Sequence, residues 1–339
     1  MNLAQSLLGR VEEGVTLGFE DARELMTALL SGSFSETEML TLLQALHLRE
    51  ETAIEVAGFA SAMRSAALTL PLTEEERNTL VDTCGTGGDG SGTFNISTAV
   101  ALVAAAAGAR VAKHGNRAVT SRCGSADVLE ALGIRTDHTP ESAAQSIRQH
   151  GFAFLLATRM HPAMKIVAPV RRALPYRTVF NLLGPMTNPA GARRQVIGVY
   201  SGWAVPKVAE ALAIGGHMHH ALVVHGAGGL DELSLSGTSN VADVKGRTVQ
   251  NAVLRPEHAG FVTSSATLQG GDATQNAGIL RRIFDGQPGA ERDVVLYNAA
   301  AVLLVGGLCQ DLRAGVAIAA RAVDSGAVSE LIRALNEAR

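Results

Sequence analysis

The chain has 339 residues, enough for two domains at about 150 residues each and ample to bury a large core without cross-links. With 47% hydrophobic and 18% charged residues it is no disordered chain; aromatics are only 4%, so Ala, Val and Leu carry the packing, the usual filling of helices around a buried sheet. A formal net charge of −3 argues against a protein that lives on nonspecific contacts with nucleic-acid phosphates.

The opening residues, MNLAQSLLGRVEEG, carry acids early and no basic stretch, so no signal peptide is expected. Apolar residues then recur at helical spacing in Leu25, Met26, Leu29 and Leu30, and in Met39, Leu40, Leu43 and Leu46. Ser35 with Glu38, and Thr52 with Glu55, form S/T-x-x-E capping boxes at helix starts. Residues 1–71 are expected to be a small helical domain, closed by Pro71 and the charged stretch Glu74–Arg77. Residues 72–339 would form the larger domain.

Beyond that boundary, short apolar runs end in glycine-rich turns and lead into helical patterns. Strands are expected at Leu80–Cys84, Arg110–Ala112, Phe152–Ala157, Val196–Tyr200 and Ala221–His225. Helices are expected at Ser97–Ala107 and Ala126–Leu132, and in Ala299–Gly306, Leu312–Gly326 and Val328–Leu335, which read as packing. This alternation predicts an α/β fold with a mostly parallel central sheet flanked by helices. The uncharged run Gly90–Ala109 is too polar for a membrane span and reads as a buried helix. Sites in such sheets lie beyond the carboxyl ends of the strands.

Gly85-Thr86-Gly87-Gly88-Asp89-Gly90-Ser91-Gly92 places five glycines in eight positions, after a strand and before a helix that starts at Asn95-Ile96-Ser97-Thr98. Glycine tolerates positive φ and close backbone approach, and unpaired amides at a helix start bind anions, so the loop reads as a phosphate site. Gly85, Gly87 and Gly90 also satisfy G-x-G-x-x-G. A dinucleotide site needs an acid about twenty positions on, however, and Arg110, Lys113, His114 and Arg117 stand there instead. No Gly-Lys-Ser/Thr follows, so the Walker pattern fails too.

A second loop, read as Lys113 to Ser125, holds the cations Lys113, Arg117 and Arg122, with Ser125 as N-cap of the next helix. Two such turns on neighbouring strands would grip a ligand with phosphates at both ends. One lysine does not neutralise a pyrophosphate, which implies a metal. Asp231-Glu232, in a glycine-rich turn past the Ala221 strand, offers oxygen ligands for a hard cation.

Cys84, Cys123 and Cys309 lack C-x-x-C spacing, which excludes a disulfide framework and a cysteine zinc site and points to a reducing, cytoplasmic setting. Cys123 reads as a small residue in a serine-sized space rather than a reactive thiolate. His217-Met218-His219-His220 reads as a solvated connection, not a metal site. No G-x-S-x-G elbow supports Ser-His-Asp catalysis.

Four segments in order, GTGGDGSGTFNIST, KHGNRAVTSRCGSADVLEALG, HPAMKIVAPVRRALPYRTVFNLLGPMTNPAG and GLDELS, closely resemble the anthranilate phosphoribosyltransferase family over nearly the whole chain. The resemblance implies a helical domain, joined in space by residues around 162–185, on a larger α/β domain of the nucleoside phosphorylase and class II phosphoribosyltransferase type. It implies transfer of the phosphoribosyl group of 5-phosphoribosyl 1-pyrophosphate to the amine of anthranilate, the second step of tryptophan synthesis from chorismate. The sugar site would include Gly85, Gly88, Asp89, Thr93, Asn95, Ile96, Ser97, Thr98, Lys113, Ser121 and Ser125. Anthranilate would use Gly85, Asn116 and Arg171, with His114, His161 and Pro185 lining its route. Two magnesium ions would be held by Ser97 and by Asp231 and Glu232. No acid or base is assigned, with His114 the one candidate for late proton acceptance. The implied assembly is a homodimer with room for association with anthranilate synthase components, and with no nucleic acid or membrane as partner.

Arg122-Cys123, Leu174-Pro175-Tyr176 and Gly228 depart from the family pattern, around the aromatic-acid entrance. Two other functions fit less of the sequence. A pyrimidine nucleoside phosphorylase shares the fold but lacks the KHGNR and RTxFNLLGPxTNP segments. A non-catalytic nucleic-acid-binding relative would be basic.

Overall fold

The computed structural model describes residues 3–118 and 122–337. Seven strands form one sheet: β1 Leu80–Thr83, β2 Arg110–Gly115, β3 Phe152–Leu156, β4 Arg194–Gly198, β5 His220–Gly226, β6 Ser239–Lys245 and β7 Thr248–Leu254. Their order is β3-β2-β1-β4-β5-β6-β7. The first five run parallel, whereas β6 and β7 are antiparallel. Strand order reverses between β1 and β4, and a doubly wound sheet opens its ligand crevice at that reversal.

The N-terminal helices begin as their side chains dictate. Ser35 and Thr52 accept from the amides of Glu38 and Glu55, whose carboxylates return to the cap amides, closing both capping boxes. Glu55 does more: fully buried, it accepts from the Leu17 amide at 2.9 Å and pairs with Arg49 at 2.5 Å. Its acid fastens two chain segments inside the helical domain. Val167, Val170, Val179 and Phe180 pack into the same core as Leu25, Leu29 and Phe59, and that core runs on to Ile197 and Val223 of the sheet. The opposite face of the sheet is covered by the apolar helices Ile96–Ala106 and Ala290–Gly306.

Three expectations are corrected. The strand expected at Arg110–Ala112 continues to Gly115, so Lys113 and His114 lie on β2 and not in a loop. The hairpin β6–β7 was not anticipated; Gly246, at φ +60, turns it. The 217–220 segment is a connection solvated only in part: His219 is exposed, but Met218 is buried, burial drives the His217 imidazole down to about 3, and His220 opens β5 with its Nε2 2.9 Å from Asp243.

Candidate active site

The glycine loop leaves β1 at the strand-order reversal. Gly87, Gly88, Gly90 and Gly92 all have φ between +64 and +76, the left-handed region. At Gly85 the reason is proximity instead: a Cβ there would sit 2.6 Å from Asp231 Oδ2. The Gly87 amide donates to that same oxygen at 3.1 Å. The acidic turn after β5 is thus brought against the loop after β1, and Asp89, Asp231 and Glu232 each offer a carboxylate oxygen within 4.8 Å of the others.

Three acids at this spacing repel. Burial, with the Asp89 charge next, pushes Asp231 up to about 6. Glu232 is raised as well, by burial and then by Asp231. The Glu232 Oε2 atom is buried without a hydrogen-bond partner among the described residues. Close carboxylates with an orphaned oxygen form a donor set suited to a hard divalent cation.

Lys113 stands beneath. Fully buried on β2, its Nζ donates to the Thr83 carbonyl at 2.7 Å and to the Ser97 hydroxyl at 3.3 Å. Burial lowers its pKa, and the charges of Asp82, Glu232 and Asp231 act against that. The other cations expected here do not join it. Arg117 forks onto Glu130 and reaches Asp127, and Arg110 opens β2 at the far end of the strand. Arg122 is exposed.

The helix start is less open than its sequence implies. Ile96 and Thr98 are buried side chains, the Ile96 amide donates to Phe94 O and the Thr98 amide to Asn95 O. Among the described residues no hydrogen bond engages the Ser97 amide. Asn95 donates to Cys123 O at 3.2 Å and accepts from Asn276 at 2.8 Å, which ties the glycine loop to the second loop. Thr93 forms a β-bridge with Gln269. Ser125 is the first residue of its helix and not the cap: Gly124 is the cap, its amide held by Asp127. Ser121 lies outside the described residues. Burial pushes the Cys123 thiol up to about 11, which keeps it out of the thiolate form.

A second group gathers beside the reversal. His114 is 3% exposed; its Nδ1–H donates to Gly184 O at 3.2 Å, and its Nε2 is buried without a partner among the described residues. The His161 ring centroid lies 5.1 Å away, and its Nε2 is also buried and unpartnered. Burial lowers His114 to about 3 and His161 to about 4, so both are neutral near pH 7. Pro185 is buried in the turn Gly184–Thr187, and its carbonyl accepts from Gln195. Arg171, in the last turn of Met164–Ala173, lies 5.0 Å over the Phe180 ring, and no carboxylate pairs with it among the described residues. Asn116 is exposed on the second loop.

Arg177, not assigned from the sequence, and Tyr176, named there only as a departure from the family pattern, make contacts of their own beside the site. Arg177 donates to the Gly88 carbonyl and stacks on Tyr200 at 3.8 Å. Tyr176, in the departing Leu-Pro-Tyr segment, stacks on His47 at 3.9 Å, linking the entrance to the helical domain.

Residues 5–67 match the helical bundle domain of the glycosyl transferase family, and residues 77–329 match its a/b domain. The anthranilate phosphoribosyltransferase of Anaeromyxobacter dehalogenans is 48% identical over 334 residues, covering 98% of each chain. That of Desulforamulus reducens is 46% identical, covering 94% of this chain and 91% of its own. The crystal structure of the Thermus thermophilus anthranilate phosphoribosyltransferase superposes with a TM-score of 0.91 at 42% identity, over 98% of each chain. The Saccharomyces cerevisiae anthranilate phosphoribosyltransferase in complex with PRPP and Mg gives 0.88 at 25% identity, over 99% of this chain and 97% of that one.

Proposed function

The chain belongs to the anthranilate phosphoribosyltransferase family, and from that premise we propose that it joins the anthranilate nitrogen to C1 of 5-phosphoribosyl 1-pyrophosphate and expels pyrophosphate. The observation that carries this reading is the meeting of the glycine loop with the acidic turn, made by Gly87 and Asp231 at 3.1 Å. The loop amides around Gly88 and Asp89 and the Ser97 amide would receive the pyrophosphate. Lys113 supplies one fixed positive charge beneath it.

Magnesium is the cation the acids would hold, with Asp231, Glu232 and Asp89 as carboxylate ligands and the Ser97 hydroxyl beside Lys113. Bound there, it neutralises charge that collects on the leaving pyrophosphate. The chain's own contribution is position and electrostatics: fixed amides and a buried lysine meet the developing anion without reorganising. Arg171, with which no carboxylate pairs among the described residues, would take the anthranilate carboxylate, since a planar guanidinium matches it bidentately.

No strong base is required. An arylamine is neutral near pH 7 and already presents its lone pair. His114, held neutral with Nδ1–H on Gly184 O, offers Nε2 as a hydrogen-bond acceptor to the amine and is too weak a base to lead the reaction. As C1–N forms and C1–O breaks, the amine proton leaves last, to His114 or water.

The reading extends to a cytoplasmic homodimer that draws anthranilate from anthranilate synthase components. No helix among the described residues is long and apolar enough to cross a membrane. The test is loss of anthranilate fluorescence with phosphoribosyl pyrophosphate and magnesium. Phosphate-dependent release of a pyrimidine base, with anthranilate untouched, would assign the chain to the phosphorylases instead.

A further inference from the structure

Past its charged first turn, the helix Ala290–Gly306 is apolar from Val294 on except for Tyr297 and Asn298, and Asn298 is 3% exposed. All of its hydrogen-bonding capacity but one lone pair is committed. Oδ1 accepts from the Leu233 amide at 2.8 Å, and Nδ2 donates to the Leu233 carbonyl at 2.9 Å and to Val294 O at 2.9 Å. The side chain thus pairs with Leu233 as a neighbouring strand would, and Leu233 directly follows Glu232.

The acidic turn needs such an anchor. On the acids' own side the Gly87 amide holds Asp231 Oδ2 at 3.1 Å and Asp89 Oδ2 accepts from the Asp231 amide at 3.4 Å, but the three carboxylates repel and Glu232 Oε2 has no partner among the described residues. Further support lies behind. A Cβ on Gly198 would fall 1.5 Å from the Asp231 carbonyl, so the end of β4 receives one side of the turn. Asn298 receives the other. Asn298, Ser97, Asp231 and Glu232 border one small cavity.

We propose that Asn298 is a positioning residue for the metal-holding acids: by clamping both backbone groups of Leu233 it keeps Asp231 and Glu232 within reach of Asp89. The inference rests on the metal-dependent reading of the site given above. A partner that orients a ligand without touching the metal typically changes metal affinity by about 10–100-fold.

The experiment compares wild type, Asn298→Ala and Val302→Ala as full-length proteins. Val302 lies on the same helix and borders the same cavity, so its truncation removes buried volume and leaves the hydrogen bonds from Asn298 to Leu233 in place. Mn2+ binding is followed by the resonance signal of the free ion, and magnesium activation by steady-state kinetics. We expect Asn298→Ala to bind Mn2+ at least about tenfold more weakly and to need correspondingly more magnesium, with the KM for anthranilate unchanged. Val302→Ala should lower the melting temperature and keep its metal affinity. Should Asn298→Ala not accumulate folded, Asn298→Ser carries the same comparison. Wild-type metal affinity in the Asn298 variant, or an equal loss in Val302→Ala, overturns the inference. A wild type that binds no Mn2+ and turns over without magnesium overturns the metal reading beneath it as well.

Discussion

The amide of Gly87 and the Oδ2 atom of Asp231, 144 positions apart in the chain, lie 3.1 Å from each other. The contact joins the loop after β1 to the turn after β5 across the intervening end of β4. It sets the amides that follow Gly87 in the loop beside a cation-binding acid. A pyrophosphate with its metal is the kind of ligand that satisfies both.

Removing that acid tests the arrangement. Asp231→Asn keeps the volume and deletes a charge, so the fold should persist while magnesium-dependent turnover falls by about a thousandfold, the scale of several kcal/mol of charge stabilisation. Steady-state kinetics across a magnesium titration measures it. Turnover equal to wild type removes Asp231 from the metal role.

Arg171→Ala should raise the KM for anthranilate by about 10–100-fold, the range for losing a charged hydrogen-bond partner, and leave the KM for the sugar nearly unchanged. An equal rise in both would refute the carboxylate assignment.

The helical domain has its own test. Glu55 is fully buried and paired with Arg49, so Glu55→Ala leaves a guanidinium without its partner and should cost about 3–5 kcal/mol. Denaturant unfolding measures the loss. A change below about 1 kcal/mol would mean that the pair and its capping bonds are replaced by water at no net loss.

Acid should unfold the protein through its buried histidines. His114, at about 3, and His161, at about 4, stay neutral in the folded chain, whereas the unfolded chain takes up protons near 6.5. Stability is therefore full above pH 6.5 and falls as the pH drops toward 4, because the unfolded state binds more protons there. His217, at about 3 and away from the acids, behaves the same way. Melting temperatures at pH 7.5 and 4.5 should differ less in His217→Gln than in wild type; an unchanged difference would exclude His217 from the effect.

Local chemistry was legible in the sequence, and long-range chemistry much less so. The capping boxes at Ser35 and Thr52 are written in four residues each and form as expected. The glycine loop was readable because positive φ restricts residue choice. Lys113 was misplaced because a charge normally ends a strand; here the Thr83 carbonyl and the Ser97 hydroxyl satisfy it inside the sheet. The β6–β7 hairpin carried a signal, Gly246 between β-branched runs, that went unread. Asp89 joins Asp231 and Glu232 only through the strand order. Asn298 hid in an Ala-rich helix that reads as packing, and Arg177 and Tyr176 gave no local sign of reaching Gly88 and His47.

The most direct measurement is a crystal structure of the protein with phosphoribosyl pyrophosphate and magnesium. The pyrophosphate is predicted against the Gly88 and Asp89 amides and the Ser97 helix start, with metal between it and Asp231 and Glu232. The sugar lodged elsewhere, or metal bound away from these acids, would contradict the account.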